Sequence, residues 1–228
     1  MTEDFAARRA SARRRLDAID PARRGDLSDP YRRGWFRAVY DMADDDPACV
    51  PWADLEPHPL LADWLAAQDV AGLRALDVGC GLGDNAEALA SKGASTIAFD
   101  LSSAAIEWAR RRFPASRVDY RVADLFDAPA DWRGGFDLVH ECYTLQALPA
   151  LLLAQAAQSL ARFLAPGGRL LVIARAREDG APPSGPPWPL SSREMEAIAA
   201  PGLAMSSIEA LTPSGEARHW RAIFQRPA

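Results

Sequence analysis

The sequence predicts an α/β fold: a Rossmann-like, doubly wound, seven-stranded and mainly parallel sheet, with helices on both faces and an N-terminal helical cap. Three observations carry that expectation. The stretch ALDVGCGLGDNAEALA, Ala75 to Ala90, passes from an apolar run through alternate glycines into a helical pattern. Short apolar runs then alternate with helical stretches as far as Ile173. Finally, Asp77, Asp100 and Asp124 stand near the ends of three successive runs. In doubly wound sheets, ligands bind at the carboxyl ends of the strands.

The elements follow in order. Met1 to about Ile19 is rich in Arg and Ala and reads as a solvated helix frayed at its start. Tyr31, Trp35, Phe36 and Tyr40 are spaced to share one helix face. An acidic turn at Asp44, Asp45 and Asp46 follows. Pro51, Pro57 and Pro59 then force extended or turning backbone before a helix near Leu60 to Ala67. The aromatic residues either pack the helices on the sheet or, as Trp52 suggests, cover a ligand pocket.

Leu73 to Val78 is the first strand, and Gly79, Gly81 and Gly83 form the turn. Glycine permits positive φ there, and the next helix presents unpaired N–H groups. Ser95 to Phe99 is the second strand. Asp100 at its tip can accept both hydroxyls of a ribose, since a carboxylate offers two acceptor oxygens. Ser102 caps a helix that Pro114 stops. Val118 to Val122 and Phe136 to Glu141 are the third and fourth strands. Asp124, beyond the third, suits either an adenine amino group or a helix cap. A helix from about Ala150 to Leu164 leads through Pro166, Gly167 and Gly168 to the apolar strand LLVIA. The Pro- and Gly-rich loop from Arg175 to Pro189 is long enough to be a lid or wall. A helix from Ser191 to Ala199 and strands near Ala204 to Ala210 and Ala217 to Phe224 complete the chain. The whole reads as one domain, 1–68 an N-terminal helical lid and 69–228 the catalytic core.

The 228 residues carry a net charge of −5, which removes the electrostatic case for nucleic acid. No apolar run approaches the ~20 residues of a membrane helix, and the start lacks a signal-peptide core, so the expected location is cytoplasmic. Three scattered cysteines and three scattered histidines suggest neither disulfides nor a metal site. The glycine spacing departs from the G-x-G-x-x-G of dinucleotide sites, and Asp77 and Asp84 would oppose a pyrophosphate.

The motif D-V-G-C-G-L-G resembles the first motif of class I S-adenosylmethionine-dependent methyltransferases. The P-G-G segment before an apolar strand is similar to that class as well. The flanking segments VPWADLEPHPLL, YTLQALP and GPPWPL look like the thiopurine, thiol and halide methyltransferase group. The resemblance implies S-adenosylmethionine as cofactor and S-adenosylhomocysteine as product. It implies cofactor contacts from Trp35, Trp52, Asp77, Gly79, Gly81, Gly83, Asp100, Leu101, Asp124, Leu125 and Glu141. It also implies a small-molecule acceptor, a thiol or other soft nucleophile, with no nucleic acid, membrane or metal partner. Glu141 and Tyr143 are the catalytic candidates. His140 lies on the opposite side of the strand from Glu141 and reads as a structural histidine. A thiol is already partly ionised near neutral pH and needs no base, whereas an alcohol needs one. The alternatives are an O- or N-methyltransferase of a natural-product pathway, a non-catalytic cofactor-binding module, and a nicotinamide-dependent reductase. The reductase is disfavoured by Asp84 and by the missing Tyr-x-x-x-Lys pair.

Overall fold

The computed structural model describes residues 3–26, 28–199, 202–213, 215 and 217–228. Among them, seven strands form one sheet in the order β3-β2-β1-β4-β5-β7-β6. The strands are β1 (Arg74–Val78), β2 (Ser95–Asp100), β3 (Asp119–Val122), β4 (Phe136–Cys142), β5 (Leu164–Arg175), β6 (Ala204–Leu211) and β7 (His219–Gln225). β1 to β5 pair in parallel, and β7 runs antiparallel between β5 and β6. The order reverses between β1 and β4, which opens a crevice at their carboxyl ends.

The central strands are buried on both faces, which is why they read as continuous apolar runs. On one face Leu76, Val139, Leu170 and Val172 meet Leu160 and Phe163 of α6 (Leu153–Phe163). On the other, Ala75, Leu138 and Leu171 meet Leu61 and Leu65 of α3 (Pro59–Ala67) and Leu89 of α4 (Asp84–Ser91). This alternation is the period-two pattern of a strand. Ser102 caps α5 (Ser103–Arg112) by accepting the Ala105 N–H. Ser191 and Glu194 form a reciprocal capping box at α7 (Ser192–Ala197).

Two expectations need revision. Pro166, Gly167 and Gly168 do not form a turn ahead of the fifth strand. They lie inside β5, beside a register shift against Phe136 and Leu138, and Gly167 has φ +77°. The N-terminal helix α1 (Glu3–Ile19) is also more than a solvated arm. Ala12 and Leu16 are buried, Arg8 pairs with Asp46 at 2.6 Å, and Arg9 pairs with Asp54 and the Ala53 carbonyl. The aromatic helix α2 (Arg33–Asp41) packs over the glycine turn. Residues 1, 2 and 27 of the expected N-terminal segment lie outside the described residues.

Candidate active site

A cavity of about 710 Å³ opens at the carboxyl ends of β1, β2, β3 and β4. That is within the ~300–1,000 Å³ range of small-molecule sites. Its floor is the turn after β1. Gly79, Gly81 and Gly83 have φ of +65°, +53° and +94°, so the expected glycine conformations are present. A Cβ on Gly79 would lie 2.6 Å from Thr144 Oγ1, and one on Gly81 would lie 3.1 Å from the Tyr40 hydroxyl. The backbone can approach a ligand closely only because both side chains are missing.

Asp100 lines the cavity at the tip of β2. Its carboxylate accepts the Gly81 N–H at 3.0 Å and the Ser102 N–H at 2.9 Å, tying turn to strand. Burial pushes its pKa up to about 6, against those hydrogen bonds. Leu101, Asp124 and Leu125 also line the cavity, as do Trp35 and Trp52. Asp124 accepts the Phe126 N–H and pairs with Arg33 at 2.5 Å, linking α2 to the end of β3. An ionised carboxylate has about four acceptor positions, so Asp124 retains some for a ligand.

The aromatic residues do two things. Trp52 donates to the Tyr40 hydroxyl at 3.0 Å and sits within 6.0 Å of the Trp35, Phe36 and Tyr40 rings. The same group packs on Leu82, Ala105 and Trp108. Covering the cavity and packing the fold are therefore one arrangement. Trp35 already faces a cation, since the Arg32 guanidinium lies 4.2 Å from its ring centroid. Pro186 and Pro187 line the opposite side, and Arg23 donates to the Pro186 carbonyl at 2.8 Å, so the long loop is a wall.

Several expected residues lie elsewhere. Asp77 does not line the cavity: it is buried, with Oδ1 2.6 Å from His140 Nδ1. Gly83 also lies behind the surface, and a Cβ there would collide with the Tyr120 hydroxyl. Glu141 is completely buried and does not reach the cavity wall. One of its oxygens accepts the N–H groups of Thr144 and Leu145, so it organises the turn after β4. Burial pushes its pKa up to about 8. Asp84 lines the cavity, but Arg112 holds both its oxygens at 2.6 and 2.7 Å. Asp84 therefore does not present the free negative charge expected of it.

Tyr143 does line the cavity, in company that the sequence did not suggest. Its hydroxyl lies 3.0 Å from His58 Nε2 and 2.8 Å from His219 Nε2. The Arg175 guanidinium lies 5.6 Å from its ring centroid. Tyr143 has φ +70°, a conformation that costs a non-glycine residue ~1–3 kcal/mol and persists only where the surroundings enforce it. Its N–H donates to the Ile173 carbonyl at 3.0 Å. Burial, followed by the neighbouring His219, His140 and Arg175, pulls the His58 pKa down to about 3, so that ring is neutral. Among the described residues, no group of three or more His, Cys, Asp or Glu side chains is arranged to hold a metal ion, and no helix is long and apolar enough to cross a membrane.

Comparison with known proteins adds partial relatives to this geometry. Residues 75–168 match the family model described as a methyltransferase domain. A ubiquinone biosynthesis O-methyltransferase of Xanthomonas oryzae pv. oryzae is 37% identical over 121 residues, covering 50% of this chain and 48% of that protein. The enzyme of the same name from Xylella fastidiosa is 36% identical over 118 residues, covering 50% and 47%. The chain thus spans about half the length of the curated relatives it matches. Among solved structures, one concerned with conversion of a disulfide bond into a thioacetal group during echinomycin biosynthesis has a TM-score of 0.71 at 24% identity. It covers 86% of this chain and 92% of its own. The 1,6-didemethyltoxoflavin-N1-methyltransferase of Burkholderia thailandensis, with bound S-adenosylhomocysteine, has a TM-score of 0.68 at 17% identity, covering 87% and 88%. At these identities the structures establish the fold. The matched segment, residues 75–168, resembles a methyltransferase domain and holds β1 to β4 with the glycine turn under the cavity.

Proposed function

We propose that this chain, built on a class I methyltransferase domain, transfers the methyl group of S-adenosylmethionine to a hydroxyl oxygen of a small molecule. The observation that carries the reading is the cavity where the sheet order reverses, lined by the glycine turn, Asp100 and Tyr143 together. The pocket fits the cofactor in kind. The turn is bare of side chains at Gly79 and Gly81, and a carboxylate is held at the tip of β2. Gly79 and Gly81 take the methionine part, Asp100 the ribose, and Asp124, Leu101 and Leu125 the adenine. Trp35 and Trp52 close the cavity from the N-terminal segment, which acts as a lid over the core.

The cofactor supplies an electrophilic methyl group on a cationic sulfur. The protein's part is to align the acceptor in line with that methyl and to exclude water, and orientation is worth ~7–11 kcal/mol in well-placed systems. Resemblance of the flanks to the thiol and halide group favours sulfur as the acceptor atom. The relatives that match half of this chain are named O-methyltransferases, and the tyrosine in the cavity suits an acceptor that must lose a proton. Oxygen is therefore the better reading.

The test is transfer of labelled methyl from S-adenosylmethionine to a panel of phenols, catechols, aliphatic alcohols, thiols and amines. Label on a hydroxyl compound, with S-adenosylhomocysteine in equal amount, is expected. Label confined to thiols or amines would replace the oxygen reading. Binding of S-adenosylhomocysteine without transfer to any acceptor would make the chain a binding module.

A further inference from the structure

We infer that His58, Tyr143 and His219 form a proton relay in which Tyr143 takes the proton of the acceptor hydroxyl as it passes its own to His219, while His58 positions the tyrosine. The inference rests on the O-methyltransferase reading and gives its acceptor a chemical character: a hydroxyl with a pKa well above neutrality, as in a phenol.

The direction of the relay follows from hydrogen-bond inventory. Nδ1 of His58 faces the Leu60 N–H at 3.2 Å, which can only donate, so Nδ1 is an acceptor. In the neutral ring the proton is then on Nε2, directed at the Tyr143 oxygen 3.0 Å away. Nδ1 of His219 faces the Ala217 carbonyl at 2.7 Å, which can only accept, so Nδ1 carries a proton. In the neutral ring Nε2 is then an acceptor, 2.8 Å from the same tyrosine oxygen. The Tyr143 hydroxyl accordingly receives from His58 and donates to His219. Two fixed rings settle which way its proton points.

That arrangement serves a base. The donor from His58 occupies one lone pair of the Tyr143 oxygen and leaves its proton directed at His219, with the other lone pair open to an acceptor O–H. His219 is 1% exposed and stacked on the tyrosine ring, ready to take the departing proton. Among the described residues, charged and titratable groups facing the relay include Arg175 from β5 and His140 of β4, which acts on His58. The backbone supports the same view, since Tyr143 is kept at positive φ at the cavity edge. Strained residues held in place by their surroundings cluster at active sites.

The proton balance is simple. The acceptor O–H gives its proton to Tyr143 as Tyr143 passes its own to His219 Nε2. The acceptor oxygen's electron pair forms the bond to the methyl carbon, while the pair of the carbon–sulfur bond stays on sulfur. The His219 imidazolium then returns a proton to water through the same hydroxyl.

The experiment compares wild type with Tyr143→Phe over phenols of graded acidity, alongside calorimetric titration with S-adenosylhomocysteine. Tyr143→Phe should lower kcat/KM for weakly acidic phenols by roughly 10²–10⁴-fold, the usual worth of a general base. The loss should shrink steadily as the phenol becomes more acidic. Affinity for S-adenosylhomocysteine should stay close to wild type, while the melting temperature falls by a few degrees because His58 and His219 lose a buried partner. Histidine ring nitrogen NMR should show the proton on Nε2 of His58 and on Nδ1 of His219 before any substrate is added. A loss that is equal for every phenol, or no loss at all, overturns the base. Opposite tautomers overturn the relay. If wild type methylates thiols and no phenol, the O-methyltransferase reading fails, and the NMR result still decides the relay on its own.

Discussion

Replacing Gly79 by Ala probes whether the turn beneath the cavity is held as the structure shows. The residue sits at φ +65°, where an L side chain costs ~1–2 kcal/mol. Its new methyl would lie 2.6 Å from Thr144 Oγ1, so Thr144 must rotate away. Rotation breaks the bond from Oγ1 to the Val78 carbonyl, 3.2 Å long, for a further ~1 kcal/mol. Together these predict a loss of about 2–3 kcal/mol, or roughly 4–12 °C in Tm at ~2–4 °C per kcal/mol for a chain of this size. Urea unfolding followed by tryptophan fluorescence measures it. The companion measurement is Gly79→Ala in a Thr144→Ala background. There the clash and the hydrogen bond are both absent, so only the backbone strain, ~1–2 kcal/mol, should remain. A cost below ~0.5 kcal/mol, the scatter of ordinary surface changes, would mean the turn does not hold Gly79 at positive φ. An equal cost in both backgrounds would mean Thr144 does not crowd it.

Two further outcomes concern acids. Asp100 has its pKa raised to about 6, and the ribose contact proposed for it needs the ionised form. Affinity for S-adenosylhomocysteine should therefore rise with pH through about 6 and level off above, and Asp100→Asn should bind weakly with no such rise; an identical pH curve for the variant in calorimetry would remove Asp100 from the site. Glu141 has its pKa raised from 4.5 to about 8 by burial, so the folded state holds a proton that the unfolded chain has lost. Its stabilising share is complete below 4.5 and is lost as pH rises through 8, so Glu141→Gln should become more stable relative to wild type by ~3–4 kcal/mol as pH moves from 5 to 8, following denaturation midpoints. His58 works in the opposite direction. With its pKa lowered from 6.5 to about 3, its share is complete above 6.5 and is lost as pH falls toward 3.

The sequence by itself determined the turn at residues 75–90, the succession of strands and helices, and the capped helices α5 and α7. Those rest on local rules. A strand buried on both faces shows as a short apolar run, a tight turn needs glycine at positive φ, and a helix start needs a side-chain acceptor. Asp100 and Asp124 were legible for the same reason, because their place at strand tips is a property of the run before them. What only the tertiary structure decided is which side chains share a space. His58 meets Tyr143 across 85 positions, and Tyr143 meets His219 across 76, from three elements that the sheet order brings to one edge of the cavity. Asp77 turns to His140 on the neighbouring strand instead of the cavity, and Asp84 is neutralised by Arg112 from α5. Glu141 turns into the core, since the alternation of β4 gives a side but not what covers it. Periodicity is a local property of a chain, whereas charge neutralisation and proton direction depend on partners that topology supplies.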